Sequence, residues 1–217
     1  MNTNFLITLP NHDQTTHYLS AWGKQIINVA KDSDLNVLDL QGEKANRKEF
    51  ESKIKNLSPK LIMFNGHGDK DMITGHKNEI LVKAGENEEL LKSKIIYALS
   101  CRSAKILGPE SVRKGALSYT GYEDDFIFMY EPNFFSRPNL DKTAELFLTP
   151  SNIFIESLIK GNNVRDSFER SKKAIIKNFN KSISTLELDP TIARFLWWNL
   201  RNFSSHGNMD VSIISQN

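Results

Sequence analysis

The sequence predicts an α/β fold, a three-layer sandwich with a mostly parallel sheet, helices on both faces and a helical C-terminal portion. Three observations lead there. Apolar runs of strand length alternate with helical patterns through the first ~120 residues, and that alternation builds βαβ units whose strands run parallel. Beyond residue 142 the pattern is mainly helical. Finally, 217 residues with 39% hydrophobic side chains are enough to bury a core without disulfides, and the single cysteine, Cys101, excludes an internal one.

The elements follow in order. Phe5-Leu6-Ile7-Thr8-Leu9 reads as a strand stopped by Pro10. After the polar Asn11-His12-Asp13-Gln14, Thr15 or Thr16 caps a helix with Leu19, Trp22, Ile26 and Val29 on one face. Leu35 to Leu40 is a second strand, and Phe50, Ile54 and Leu57 mark a helix ended by Ser58-Pro59. Leu61-Ile62-Met63-Phe64, the third strand, stops at Asn65-Gly66-His67-Gly68. Met72–Thr74 and Glu79–Val82 form a small hairpin around Gly75 to Asn78. Ile95 to Leu99 is the fourth main strand and delivers Ser100-Cys101; Ala116 to Thr120 is the fifth and ends at Gly121-Tyr122-Glu123-Asp124-Asp125. Lys142 to Leu148 and Asn152 to Lys160 are helices separated by Pro150, with Gly161 as a C-terminal cap. Val164, Phe168, Ser171, Ile175 and Phe179 line the next helix. Phe195-Leu196-Trp197-Trp198 closes one edge of the core, and Val211 to Ile214 is a last strand. The expected organisation is one domain over 1–217, with a core at about 5–180 and an extension at about 181–217 packed on it.

Charge narrows the function. Lys and Arg total 28 against 26 Asp and Glu, a near-balance that argues against a nucleic-acid partner. No apolar run approaches the ~20 residues of a membrane span. The start, Met1-Asn2-Thr3-Asn4-Phe5, lacks the basic and apolar regions of a signal peptide. The lone cysteine fits a reducing compartment, so a cytoplasmic location is expected.

In a parallel sheet the ligand site lies beyond the carboxyl ends of the strands. His67 follows the third strand and Cys101 the fourth, so neighbouring strands would bring both side chains to one rim. A thiolate there can attack a carbonyl, with the histidine taking its proton and returning it to the leaving amine. Gly68 lets a backbone N–H approach the developing oxyanion, and the N–H of Cys101 is the second donor.

These residues carry a resemblance. Leu61-Ile62-Met63-Phe64-Asn65-Gly66-His67-Gly68 and Ile95-Ile96-Tyr97-Ala98-Leu99-Ser100-Cys101 resemble the His-Gly and Cys boxes of the caspase-like, clan CD cysteine peptidases, closest to the CHAT and gingipain-like bacterial members. Gly115 to Gly121 looks like the family's next core strand, and Ile159-Lys160-Gly161 like the end of a CHAT-type domain. The resemblance covers roughly Phe5 to Phe179. It implies a caspase-like sandwich, a His67–Cys101 dyad, Gly68 as oxyanion donor, and endopeptidase activity through a thioester acyl-enzyme. A protein or peptide substrate follows, and an activating or regulatory protein is a further expected partner. Ser100-Cys101-Arg102-Ser103 departs from the Ala-Cys-Arg-Gly of caspases, so their Asp preference is not expected. In paracaspases and gingipains, acidic residues of the loop after the first strand and of those flanking the Cys select Arg or Lys. The matching positions are Asp13 and Glu123, Asp124 and Asp125, which implies a basic P1 residue held by charge-assisted hydrogen bonds.

Other readings remain open. A catalytically inactive or latent caspase-like module for protein association would retain the same boxes, and a flavodoxin-like ligand-binding domain is a third class. No cofactor is expected, although some relatives need calcium. His67, Asp69, Asp71 and His76 match no zinc or EF-hand spacing, so no metal site is expected.

Overall fold

The computed structural model describes residues 3–185 and 189–214. Nine strands and six α-helices are seen among them: β1 Asn4–Leu9, α1 Gln14–Asp32, β2 Asn36–Gln41, α2 Arg47–Leu57, β3 Leu61–Asn65, β4 Gly68–Asp69, β5 Met72–Thr74, β6 Ile80–Lys83, β7 Ile95–Leu99, α3 Leu107–Arg113, β8 Ser118–Tyr122, α4 Lys142–Ile159, α5 Val164–Ser184, α6 Pro190–Asn202 and β9 Phe203–Gly207. Six strands form one sheet in the order β2-β1-β3-β7-β8-β9. The first five run parallel, and β9 closes the β8 edge antiparallel. The expected α/β sandwich is therefore present. No described helix is long and apolar enough to cross a membrane.

The two-residue period of the strands sorts the core into two layers. Phe5, Ile7 and Leu9 of β1, Leu61 and Met63 of β3 and Tyr97 of β7 face α1, α4, α5 and α6. Leu6, Ile62, Phe64, Ile96 and Ala98 point the other way, onto Phe50 and Ile54 of α2 and Leu107 of α3. β3 and β7 are buried along their whole length, as strands covered on both faces are.

Several elements differ from the sequence expectation. The cap of α1 is Asp13, whose side chain accepts from Thr16 N–H while Thr16 Oγ1 accepts from Asp13 N–H, a reciprocal capping box. α4 runs unbroken through Pro150. A proline inside a helix leaves the carbonyl four residues earlier without its partner. That carbonyl, Leu146 O, accepts from Asn178 Nδ2 of α5 at 2.7 Å. The residues 211–214 form no strand. Met209 O and Val211 O instead accept from Arg165 N and Val164 N, which are unpaired donors of the first turn of α5. The last strand is the polar Phe203–Gly207, held by its ladder to β8. The expected hairpin is present as β5 and β6, with β4 as a third strand.

Candidate active site

Chain order steps from β1 out to β2, then back across β1 to β3 and β7. A parallel sheet with such a reversal opens a crevice at the carboxyl ends of its central strands. Asp13 follows β1, His67 follows β3 and Cys101 follows β7, so three adjacent strands each deliver one polar residue to that rim. The last register pair of β3 and β7 is Asn65 with Leu99. His67 and Cys101 each lie two residues beyond it, at matching heights.

The loop geometry is fixed by contacts that leave little room. Thr8 Oγ1 accepts from Asn65 N at 3.1 Å and donates to Asn65 O at 3.2 Å, while Asn65 Nδ2 donates to Thr8 O at 3.0 Å. This buried clamp ties β1 to β3 just before their functional loops begin. Gly66 has φ +152, and a Cβ there would stand 2.5 Å from Thr74 O, so only glycine fits. At Gly68 a Cβ would meet Cys101 O at 2.9 Å, Met72 O at 3.0 Å and Ser100 Cβ at 3.1 Å. The His loop therefore rests directly on the Cys loop. Thr74 N donates to His67 O at 2.9 Å, which makes Gly68 and Ile73 a non-hydrogen-bonded pair of the β4–β5 ladder. The N–H of Gly68 is thereby turned away from β5.

His67 Nε2 lies 2.6 Å from Asp13 Oδ2. The other carboxylate oxygen, Oδ1, accepts from Thr16 N at 2.8 Å and from Thr16 Oγ1 at 2.9 Å. The capping box thus aims Oδ2 at the imidazole. Burial alone would raise the Asp13 pKa, but the Thr16 N–H and the His67 ring outweigh it and hold the carboxyl down at about 2. With Nε2 committed to a carboxylate, the ring carries its proton there and leaves Nδ1 as the basic nitrogen. His12 stands beside this pair, its Nε2 3.5 Å from Asp13 Oδ2 and its ring 5.9 Å from that of His67.

The thiol of Cys101 is held differently. Burial pushes its pKa up to about 11, partly offset by hydrogen bonding at the Phe126 backbone and reinforced by the nearby Asp125 charge, and Sγ donates to Phe126 O at 3.9 Å. The resting sulfur is a protonated thiol. Arg102, the next residue, has φ +57, and its guanidinium reaches Asp125 at 2.8 Å, Asp69 at 3.7 Å and Asp124 at 3.8 Å.

The structure therefore gathers Asp13, His67, Gly68, Cys101, Asp124 and Asp125 around one rim. Asp13 contacts His67, and Asp124 and Asp125 contact Arg102. Glu123 instead faces β9, 3.7 Å from His206 Nε2. Sequence reading missed Asp69 in the carboxylate group and His12 beside Asp13. Asp69 follows the His-Gly box by one residue and His12 precedes Asp13, but neither pairing shows until the loops are folded. Ligand atoms of His12, Asp13 and His67 lie within 4.8 Å of one another, where no metal ligands were expected.

No protein-family model matches the chain, and no curated protein matches it either. Solved structures do. In the complex of the pro- and mature domains of Porphyromonas gingivalis RgpB, the match covers 98% of this chain and 49% of that one, with 9% identity and a TM-score of 0.62. The Arg specific cysteine proteinase gingipain R matches over 97% and 47%, with 9% identity and a TM-score of 0.63. A structure described only as a protease matches over 96% and 48%, with 13% identity and a TM-score of 0.61. The chain spans about half the length of each structure it matches. At such identities the likeness is one of architecture: the chain has a mostly parallel, helix-flanked α/β fold like that of gingipain R.

Proposed function

We propose that the chain is a cysteine endopeptidase in which His67 and Cys101 form the dyad, Asp13 orients the histidine, and a basic residue occupies P1. The observation that carries this reading is the packing of the His67 loop on the Cys101 loop through Gly68, with Asp13 on Nε2 of the ring. As the sulfur attacks the scissile carbonyl carbon, its proton passes to His67 Nδ1. Because burial keeps the thiol protonated at rest, proton transfer accompanies attack. The N–H groups of Gly68 and Cys101 receive the oxyanion. Collapse breaks the C–N bond, the amine leaves with the proton from His67, and a thioester remains. Water gives a proton to His67, attacks the thioester and releases the carboxylic acid and the thiol.

The P1 assignment rests on charge. Three carboxylates, those of Asp69, Asp124 and Asp125, share one guanidinium beside the nucleophile. A substrate guanidinium or ammonium is favoured at such a surplus. The Arg specificity of gingipain R agrees in sign. The CHAT-type bacterial peptidases carry the same paired boxes, and the proposal extends to that branch. Two observations favour a second reading, a latent or association module: the thiol is raised and Arg102 already occupies the carboxylates.

The test is labelling with arginine-, lysine- and aspartate-directed acyloxymethyl ketones, read by intact mass, with Cys101→Ala as control. Modification of Cys101 by the basic probes alone is expected, and weaker in Asp125→Asn. Selective reaction with the aspartate probe would overturn the P1 assignment. Failure of every probe would overturn the peptidase in favour of the second reading.

A further inference from the structure

His12 plays no part in the proposed catalysis, yet it stands where a third ligand would. Its side chain is only 10% exposed, and its Nδ1 is buried with no hydrogen-bond partner. Asp13 Oδ2 lies between two imidazoles, 2.6 Å from His67 Nε2 and 3.5 Å from His12 Nε2. Zinc bonds nitrogen and carboxylate oxygen at about 2.0–2.2 Å, so tetrahedral ligand atoms stand about 3.3–3.5 Å apart. The His12–Asp13 separation already matches. The Asp13–His67 separation needs to open by less than about 1 Å, which rotation of an exposed imidazole provides.

The surroundings suit a metal. Thr16 holds the other oxygen of Asp13 at 2.8 Å, which is how outer contacts fix a ligating carboxylate. Asp13 is 37% and His67 35% exposed, so the site is open on one side for entry and for a water in the fourth position. Two imidazoles and a carboxylate with one open position form a ligand set that takes zinc over calcium or magnesium. The positive end of α1 opposes a cation there, a small effect against three ligand bonds.

We propose that His12, Asp13 and His67 bind one zinc ion, and that the ion silences the dyad. The second clause rests on the peptidase reading. An imidazole whose Nε2 lone pair is given to zinc keeps its proton on Nδ1. Such a ring cannot accept the proton of Cys101. Zinc at this site would therefore block the base without touching the sulfur.

Binding is tested on the full chain by titration calorimetry with zinc chloride, alongside cobalt(II) absorption, which reports tetrahedral coordination. One ion per chain is expected. Affinity should fall at least about tenfold in both His12→Ala and His12→Gln, with circular dichroism confirming the fold. It should be unchanged in Cys101→Ala. Zinc binding that survives both His12 variants, or that disappears with Cys101, would overturn the site, as would no binding at all. In parallel, zinc should slow basic-probe labelling of the wild-type chain with a midpoint at the measured Kd, and labelling insensitive to bound zinc would overturn the silencing. A chain that binds zinc in the expected pattern but reacts with no probe keeps the site and loses the peptidase.

Discussion

Replacing Asp13 with Asn and with Ala should separate the two jobs of its carboxylate, because the variants rank oppositely in stability and in rate. Oδ1 caps α1 through Thr16, and Oδ2 holds His67. Asn is as good a cap as Asp, whereas Ala forfeits about 1 kcal/mol. The carboxyl is held at about 2 against an ordinary 3.8. At face value that is about 2.4 kcal/mol, but more than a third of the side chain is exposed, so about 1 kcal/mol survives screening. A depressed carboxylate stabilises the fold above its unfolded pKa and loses that contribution as pH falls. Both variants should therefore be less stable than wild type at neutral pH, Ala the more so, with the charge part vanishing as pH falls from about 4 to about 2.

The rates should reverse that order. With its oxygen kept at Thr16, the Asn amide presents N–H to His67 Nε2, forces that nitrogen to accept, and moves the ring proton to Nδ1. The base is then the wrong tautomer, a fault that can cost up to about 10⁴-fold. Ala leaves the tautomer free and removes mainly the charge, a loss nearer tenfold at about 1.4 kcal/mol. Urea unfolding and the rate of Cys101 modification by an arginine-directed ketone measure the two. An Asn variant that reacts at the wild-type rate, or faster than Ala, would refute the reasoning.

Two further expectations concern the His and Cys loops where they meet. Gly68→Ala should lower the labelling rate by about 10²–10³-fold by disturbing an oxyanion donor. It should cost about 1–3 kcal/mol by urea unfolding, because its Cβ meets backbone on both sides. Alkylation of Cys101 by iodoacetamide should be slow at neutral pH and climb toward pH 11, since burial holds the thiol up to about 11. A raised thiol stabilises the fold below its unfolded pKa, so stability should fall as pH rises from about 9 to about 11. Fast alkylation near neutrality would show a preformed thiolate.

The sheet and the rim positions of His67 and Cys101 were legible because both are strand-end facts. An apolar run followed by Asn65-Gly66-His67-Gly68, and another by Ser100-Cys101, place two residues at one rim once the strands are parallel neighbours. The pairing of Asp13 with His67 was not legible, since it depends on which way a capping carboxylate turns. Asp13 was expected at the floor of a specificity pocket, and its rim position was readable while its contact was not. Glu123 reads the same as Asp124 and Asp125 in sequence, but the β8–β9 ladder turns it to His206. β9 itself, Phe-Ser-Ser-His-Gly, has no strand signature and exists through its ladder to β8. The apolar Val211 to Ile214 has the signature, but Val211 gives its carbonyl to α5 instead.

Pro150 has a consequence for how the helical layer comes together. On its own, α4 carries a broken rung at Leu146, and the amide that mends it belongs to Asn178, a whole helix further along the chain. A second α5 side chain donates to the same helix, Ser171 Oγ to Pro150 O. α4 is not complete before α5 docks on it. The layer that supports β1, β3 and β7 is therefore held together through the backbone of α4 as well as through its apolar side chains.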